Sequence, residues 1–116
     1  MKILISGEIE LPPETREAAL IGAKPFIDMA LAERGCRHYA WTADPHHRGR
    51  VHVFEEWNCA GDLQEHLEGE AYKSMLGHLG SYTILSAETR KYRCDISEPV
   101  YGPDGVATAT FLTAKG

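Results

Sequence analysis

Hydrophobic and polar positions change period four times along this chain, and the changes outline its elements. Ile3, Ile5 and Ile9 alternate with Ser6, Glu8 and Glu10, with Leu4 beside them, which predicts a first strand over roughly residues 2–11. Pro12-Pro13 stops it, and proline is suited to the first turn of a helix, where no amide donor is missed. Ala19, Leu20, Ala23, Phe26, Ile27, Ala30 and Leu31 then recur at helical spacing, and the helix is expected to close at Arg34-Gly35. Pro25 lies inside that pattern and would release the carbonyl of Ile21, so a kink or two shorter helices are expected there. Cys36 to Asp44, rich in Tyr39, Trp41 and Thr42, predicts a second strand. After the loop Asp44-Pro45-His46-His47-Arg48-Gly49, Arg50 to Trp57 predicts a third, antiparallel to the second. Leu63, His66 and Leu67 mark a helix face with Asn58 or Asp62 as its cap, and beyond Gly69 a further stripe of Tyr72, Met75, Leu76 and Leu79 ends near Gly80. Tyr92, Cys94 and Ile96 alternate within a fourth strand placed between 82 and 97.

The order β-α-β-β-α-β, with right-handed crossovers, predicts an α+β, ferredoxin-like subunit: a four-stranded antiparallel sheet with its helices on one face. Residues 1–98 form this domain. Residues 99–116 lie outside it, and Val106 to Thr113 alternates enough for an extra strand or an arm swapped between subunits, with a frayed tail as the bland alternative. Because the helices cover one face only and the strands carry large groups on both, the bare face is expected to be an apolar patch. A homodimer stacked through it would cover that patch.

Composition narrows the function classes. The chain has 116 residues, 43% hydrophobic and 25% charged, and no apolar run approaches the roughly 18 residues of a membrane span. A net charge of −5 argues against nucleic acid as a partner. Three widely spaced cysteines make neither a disulfide framework nor a CxxC motif, and the N-terminus has no signal-peptide architecture, so a cytoplasmic protein is expected.

The candidate chemistry lies in Phe54-Glu55-Glu56-Trp57 and in Asp62-Leu63-Gln64-Glu65-His66-Leu67. Strand parity puts Glu55 and Trp57 on one face, and a carboxylate and a histidine brought together there either satisfy each other or serve a ligand. Tyr39 and Trp41 share a strand face and line a cavity or pack under a helix, and Tyr72 lies on the apolar stripe of its helix. His38 and His52 are on paired strands, yet without a third ligand no metal site is expected. His46-His47 reads as solvent-exposed, and His78 as a helix-end cation.

Ala32-Glu33-Arg34-Gly35-Cys36-Arg37-His38-Tyr39, Asp44-Pro45 and Phe54-Glu55-Glu56-Trp57 with His66 beyond resemble the antibiotic-biosynthesis monooxygenase domain of the dimeric α/β-barrel group, which includes quinol monooxygenases. The resemblance runs over roughly residues 1–97. It implies a dimer with facing sheets and a pocket for a small aromatic substrate, oxidised by dioxygen without metal, flavin or haem. On that basis His66 would be the base, oriented or polarised by Glu55, with Trp57, Tyr72, Tyr39 and Trp41 around the substrate. The haem-degrading branch of the same fold carries a tryptophan where His66 stands and an axial histidine where this chain has Leu76, so haem is not expected. Two other readings fit the same pocket: a non-catalytic barrel that binds a small hydrophobic ligand, and an isomerase or lyase with His66 as proton shuttle.

Overall fold

The computed structural model describes residues 1–113. Four strands, β1 (Lys2–Glu10), β2 (Cys36–Ala43), β3 (Arg50–Trp57) and β4 (Ser86–Cys94), form one antiparallel sheet in the order β2-β3-β1-β4. The helices are α1 (Pro13–Leu31), α2 (Ala60–Leu67) and α3 (Glu70–Leu79). This is the expected ferredoxin-like arrangement, and the sheet is open rather than closed into a barrel. Among the described residues no helix is long and apolar enough to cross a membrane.

Register explains which side chains meet the helices. Ile3 pairs with Trp57, Ile5 with Glu55 and Ile9 with Val51 across β1 and β3, while Tyr39 faces Glu55 and Trp41 faces Val53 across β2 and β3. With a side-chain period of two, this set points to one face. Ile3, Ile9, Tyr39, Val51, Val53 and Trp57 are all buried there against Ala19, Ala23 and Ala30 of α1 and Leu63, Ala71, Met75 and Leu79 of α2 and α3. The small alanines of α1 let the helix lie close to the sheet, and each fully buried large side chain contributes about 1.5–3 kcal/mol.

Several expectations change. α1 is a single helix of 19 residues that runs through Pro25. The carbonyl that Pro25 releases belongs to Ile21, which is 69% exposed, so water can satisfy it without breaking the helix. The helix stops at Leu31, short of Arg34, and Gly35 then takes a left-handed φ of 78° that starts β2. The division of the second helical unit at Glu68-Gly69 into α2 and α3, by contrast, is as the stripes on either side of Gly69 implied. Neither Asn58 nor Asp62 caps α2; Cys59 holds that position without a side-chain hydrogen bond.

The uncovered face is more polar than the pattern implied. It carries Leu4, Phe54 and Tyr92 among charged neighbours, including Arg50 bound to Glu8 and Glu10, and Lys2 paired with Glu56. β4 is different in kind, because Ser86 to Arg93 are exposed on both sides of the strand.

The C-terminal extension makes no strand over the described part of Val106 to Thr113. Among the described residues its one β-bridge joins Tyr101 to Ala107, and Glu98 accepts hydrogen bonds from the amides of Leu112 and Thr113. The turn at residues 102–105 folds the segment back on Tyr101, and among the described residues it meets no partner edge of the length a strand needs.

Candidate functional site

β3, β2 and α2 converge on His66. Its side chain is 1% exposed, and its Nδ1 lies 2.5 Å from Oε1 of Glu33 in the turn after α1. A carboxylate accepts, so Nδ1 carries the proton in this pair and a neutral ring would keep Nε2 as a free acceptor. Three aromatic rings surround the imidazole: Trp57 at 4.6 Å between centroids, Tyr39 at 5.4 Å and Tyr72 at 5.7 Å, the two tyrosines meeting it edge-on. A histidine caged in this way has little rotational freedom.

Glu55 is also buried, at 7% exposure, and accepts a hydrogen bond of 3.0 Å from the indole Nε1 of Trp57. The expected direct partnership between Glu55 and His66 is thus replaced by two others: Trp57 holds Glu55, and Glu33 holds His66. Burial raises the pKa of Glu55 above the usual carboxylate range, while the Trp57 bond and the nearby His66 pull it down and the charge of Glu33 adds to the rise. Burial likewise raises the Tyr39 hydroxyl, with the charge of Glu55 as the next cause. The Cys36 thiol is pushed up to about 11, again chiefly by burial and then by Glu55 and Glu33.

A cavity of about 300 Å³ opens between the inner sheet face and α3. Glu55, His66, Tyr39, Trp41 and Tyr72 line it, together with the apolar side chains of Ile5, Val53, Met75 and Leu79 and with Ala87 and Thr89 of β4. Five of the six residues singled out in the sequence therefore meet around one hollow. The sixth, Trp57, is fully buried and is not part of the lining; it stands behind Glu55 and His66 as core. Trp41 Nε1 is buried without a hydrogen-bond partner. The Tyr39 hydroxyl is near enough for Trp41 to temper its rise in pKa, yet it stands outside hydrogen-bond geometry.

Sequence reasoning missed Glu33 as the partner of His66, although Glu33 lies in the segment that carries the family resemblance. The two are 33 positions apart, and only the packing of the α1–β2 turn against α2 joins them. It also missed the contribution of β4. Other histidines have plain structural roles. His78 Nε2 is 2.8 Å from the carbonyl of Ala19, tying α3 to α1 rather than capping a helix. His52 lies 2.6 Å from Asp44, whose carboxylate also accepts from the amides of His46 and His47. Register puts His52 opposite Thr42 and His38 opposite Glu56, so the two histidines do not meet. Among the described residues no three His, Cys, Asp or Glu side chains cluster as they would around a metal ion.

The family model for antibiotic biosynthesis monooxygenases matches residues 3–77. The chain belongs to the antibiotic biosynthesis monooxygenase family. Solved structures agree in fold. A conserved protein from Methanosarcina mazei Go1 superposes with a TM-score of 0.73 at 22% identity, covering 80% of this chain and 92% of that one. A Deinococcus radiodurans protein that carries the family's monooxygenase name provisionally gives a TM-score of 0.77 at 16% identity, over 86% and 99% of the two chains. Rv0793 from Mycobacterium tuberculosis gives 0.72 at 19% identity, over 84% and 98%. No curated protein matches.

Proposed function

We propose that this chain is a cofactor-independent monooxygenase that oxidises a quinol or a related polycyclic or dihydroxy aromatic with dioxygen, working as a homodimer in the cytoplasm. The observation that carries the reading is the imidazole of His66, held at Nδ1 by Glu33 and set in the wall of an apolar cavity beside Glu55. An electron-rich phenol reduces dioxygen readily only after it has lost its proton, so the site needs a base that works near neutral pH. His66 Nε2 would take that proton. The resulting anion transfers one electron to dioxygen, and the substrate radical and superoxide combine at a ring carbon that bears hydrogen. With the returned proton this gives a hydroperoxide, and loss of that carbon's hydrogen with the distal hydroxyl, as water, leaves the new carbonyl.

Glu55, buried in the cavity wall and held by the indole N–H of Trp57, is the polar group placed to meet the developing peroxide. Tyr39 and Tyr72 give the aromatic ring its walls. A second subunit is supported by Phe54 and Tyr92 on the uncovered outer face of the sheet and by Val100, Tyr101, Val106, Phe111 and Leu112 of the extension, the last five each at least 60% exposed.

An oxygen electrode with a panel of hydroquinones and anthrones tests the reaction. His66→Gln and His66→Ala are expected to lower kcat on the accepted substrate by about 10²-fold or more. Wild-type turnover by both folded variants would remove His66 from the mechanism. Saturable binding with no oxygen uptake across the panel would favour a ligand-binding protein, and product formed under anaerobic conditions an isomerase or lyase.

A further inference from the structure

The inner face of β4 extends the cavity into a second hollow. Ala87 and Thr89 line the cavity; two positions further along the same row, Lys91 and then Arg93 line a groove of about 450 Å³ with Ile3, Ala60, Leu63, Gln64 and Leu67. Leu67 borders both hollows. Register makes the continuity concrete, because Lys91 pairs directly with Ile5, itself a cavity wall, and Arg93 pairs with Ile3. Side chains of such a pair start about 5 Å apart at their Cβ atoms, and successive same-face residues along a strand are separated by about 7 Å.

The charge pattern along this row is uneven. One end is small and neutral, at Ala87 and Thr89, and the other carries two cations in a chain whose net charge is −5. Among the described residues neither Lys91 nor Arg93 makes an ion pair, so both charges are available to a ligand. Both cations are exposed on β4, with Ala60, Leu63, Gln64 and Leu67 of α2 forming the opposite wall of the groove. Their placement at the mouth of an apolar hollow matches an amphiphilic guest, with its ring inside and its charge at the rim.

We propose that cavity and groove form one site, in which Lys91 and Arg93 bind the anionic group, a carboxylate in the simplest case, of an aromatic whose ring occupies the cavity. This rests on reading the cavity as the substrate site and names the substrate class: an acidic hydroxyaromatic rather than a neutral quinol. The cations also select the end by which the ring enters, which sets which carbon lies beside His66.

Binding of 2-naphthoate and of its neutral analogue 2-naphthamide to the native protein, followed by calorimetry, tests the proposal without requiring turnover. The acid is expected to bind about tenfold more tightly, consistent with two exposed ion pairs, and the preference should shrink as salt is raised. Lys91→Gln/Arg93→Gln should abolish the preference, chiefly by weakening 2-naphthoate, and Lys91→Glu/Arg93→Glu should reverse it. Equal affinities in the wild type, or a preference that persists in the double glutamine variant, would overturn the anionic subsite while leaving the cavity reading intact. Failure of both probes to bind would overturn the cavity reading and this inference with it. Oxygen uptake on neutral quinols, measured separately, reports on the reaction alone.

Discussion

Removing the Glu33 carboxylate tests the architecture around His66 most directly. In Glu33→Ala, the Nδ1–H of a histidine whose side chain is 1% exposed loses its acceptor. Trp57, Tyr39 and Tyr72 pack their rings against it, and Glu33 is the partner its Nδ1 meets among the described residues. An orphaned buried donor costs about 1–3 kcal/mol, and a domain of this size loses roughly 4–5 °C in Tm for each kcal/mol. The expected drop is thus about 10 °C at neutral pH. Glu33→Gln keeps an amide oxygen at the same reach and should lose less than half of that. A double-mutant cycle with His66→Leu isolates the pair, with a coupling of about 1–2 kcal/mol expected from urea denaturation. The ¹⁵N chemical shifts of His66 give a readout that packing alone would not move: the Nδ1–H form should dominate in the wild type and lose that dominance in Glu33→Ala. A Tm within 1 °C of wild type, with zero coupling and an unchanged tautomer, would show that Glu33 does not hold His66.

Two further expectations concern groups buried or closely approached in the same region. Burial raises the folded-state pKa of Glu55 above its unfolded value, so the folded chain holds this proton more tightly than the unfolded one. Its contribution to stability therefore falls as pH rises from the unfolded carboxylate range through the folded pKa. Glu55→Gln, which can still accept from Trp57, should flatten that part of a Tm-against-pH curve and gain relative stability at pH 8; parallel curves would refute the assignment. At Gly7 in β1, a Cβ would fall 2.1 Å from the carbonyl oxygen of Glu88 and 2.5 Å from Cα of Thr89. These are backbone atoms of β4 that cannot rotate away, so Gly7→Ala should cost about 3 kcal/mol in urea denaturation and disturb the cavity wall at Thr89. A loss below 0.5 kcal/mol would mean that the two strands part easily there.

Much of the candidate site was legible because strand parity is a local property. The spacing of Glu55 and Trp57, and of Tyr39 and Trp41, placed each pair on one face, and the structure turns both pairs inward. What parity could not say was which member touches solvent-filled space and which is sealed. Trp57 is opposite Ile3 and Cys36 and disappears into the core, whereas Trp41, two pairs along the sheet, reaches the cavity. The partner of His66 was illegible for a similar reason. Glu55 on β3 was the nearer choice in sequence, yet the α1–β2 turn brings Glu33 to the Nδ1 of the ring.

Alternation, helical spacing and turn residues determined the element order and, through the handedness of the crossovers, the open antiparallel sheet with helices on one face. These are patterns of nearest neighbours, and they survive any rearrangement of the elements that respects their faces. Tertiary structure alone decided that helices cover β1, β2 and β3 but leave β4 exposed, that His66 pairs with Glu33, and that the hollow beside it runs out to two cations. Each of these depends on the distance between elements that are remote along the chain. That distance is set by how closely side chains pack, as the alanines of α1 permit, and no local pattern encodes it.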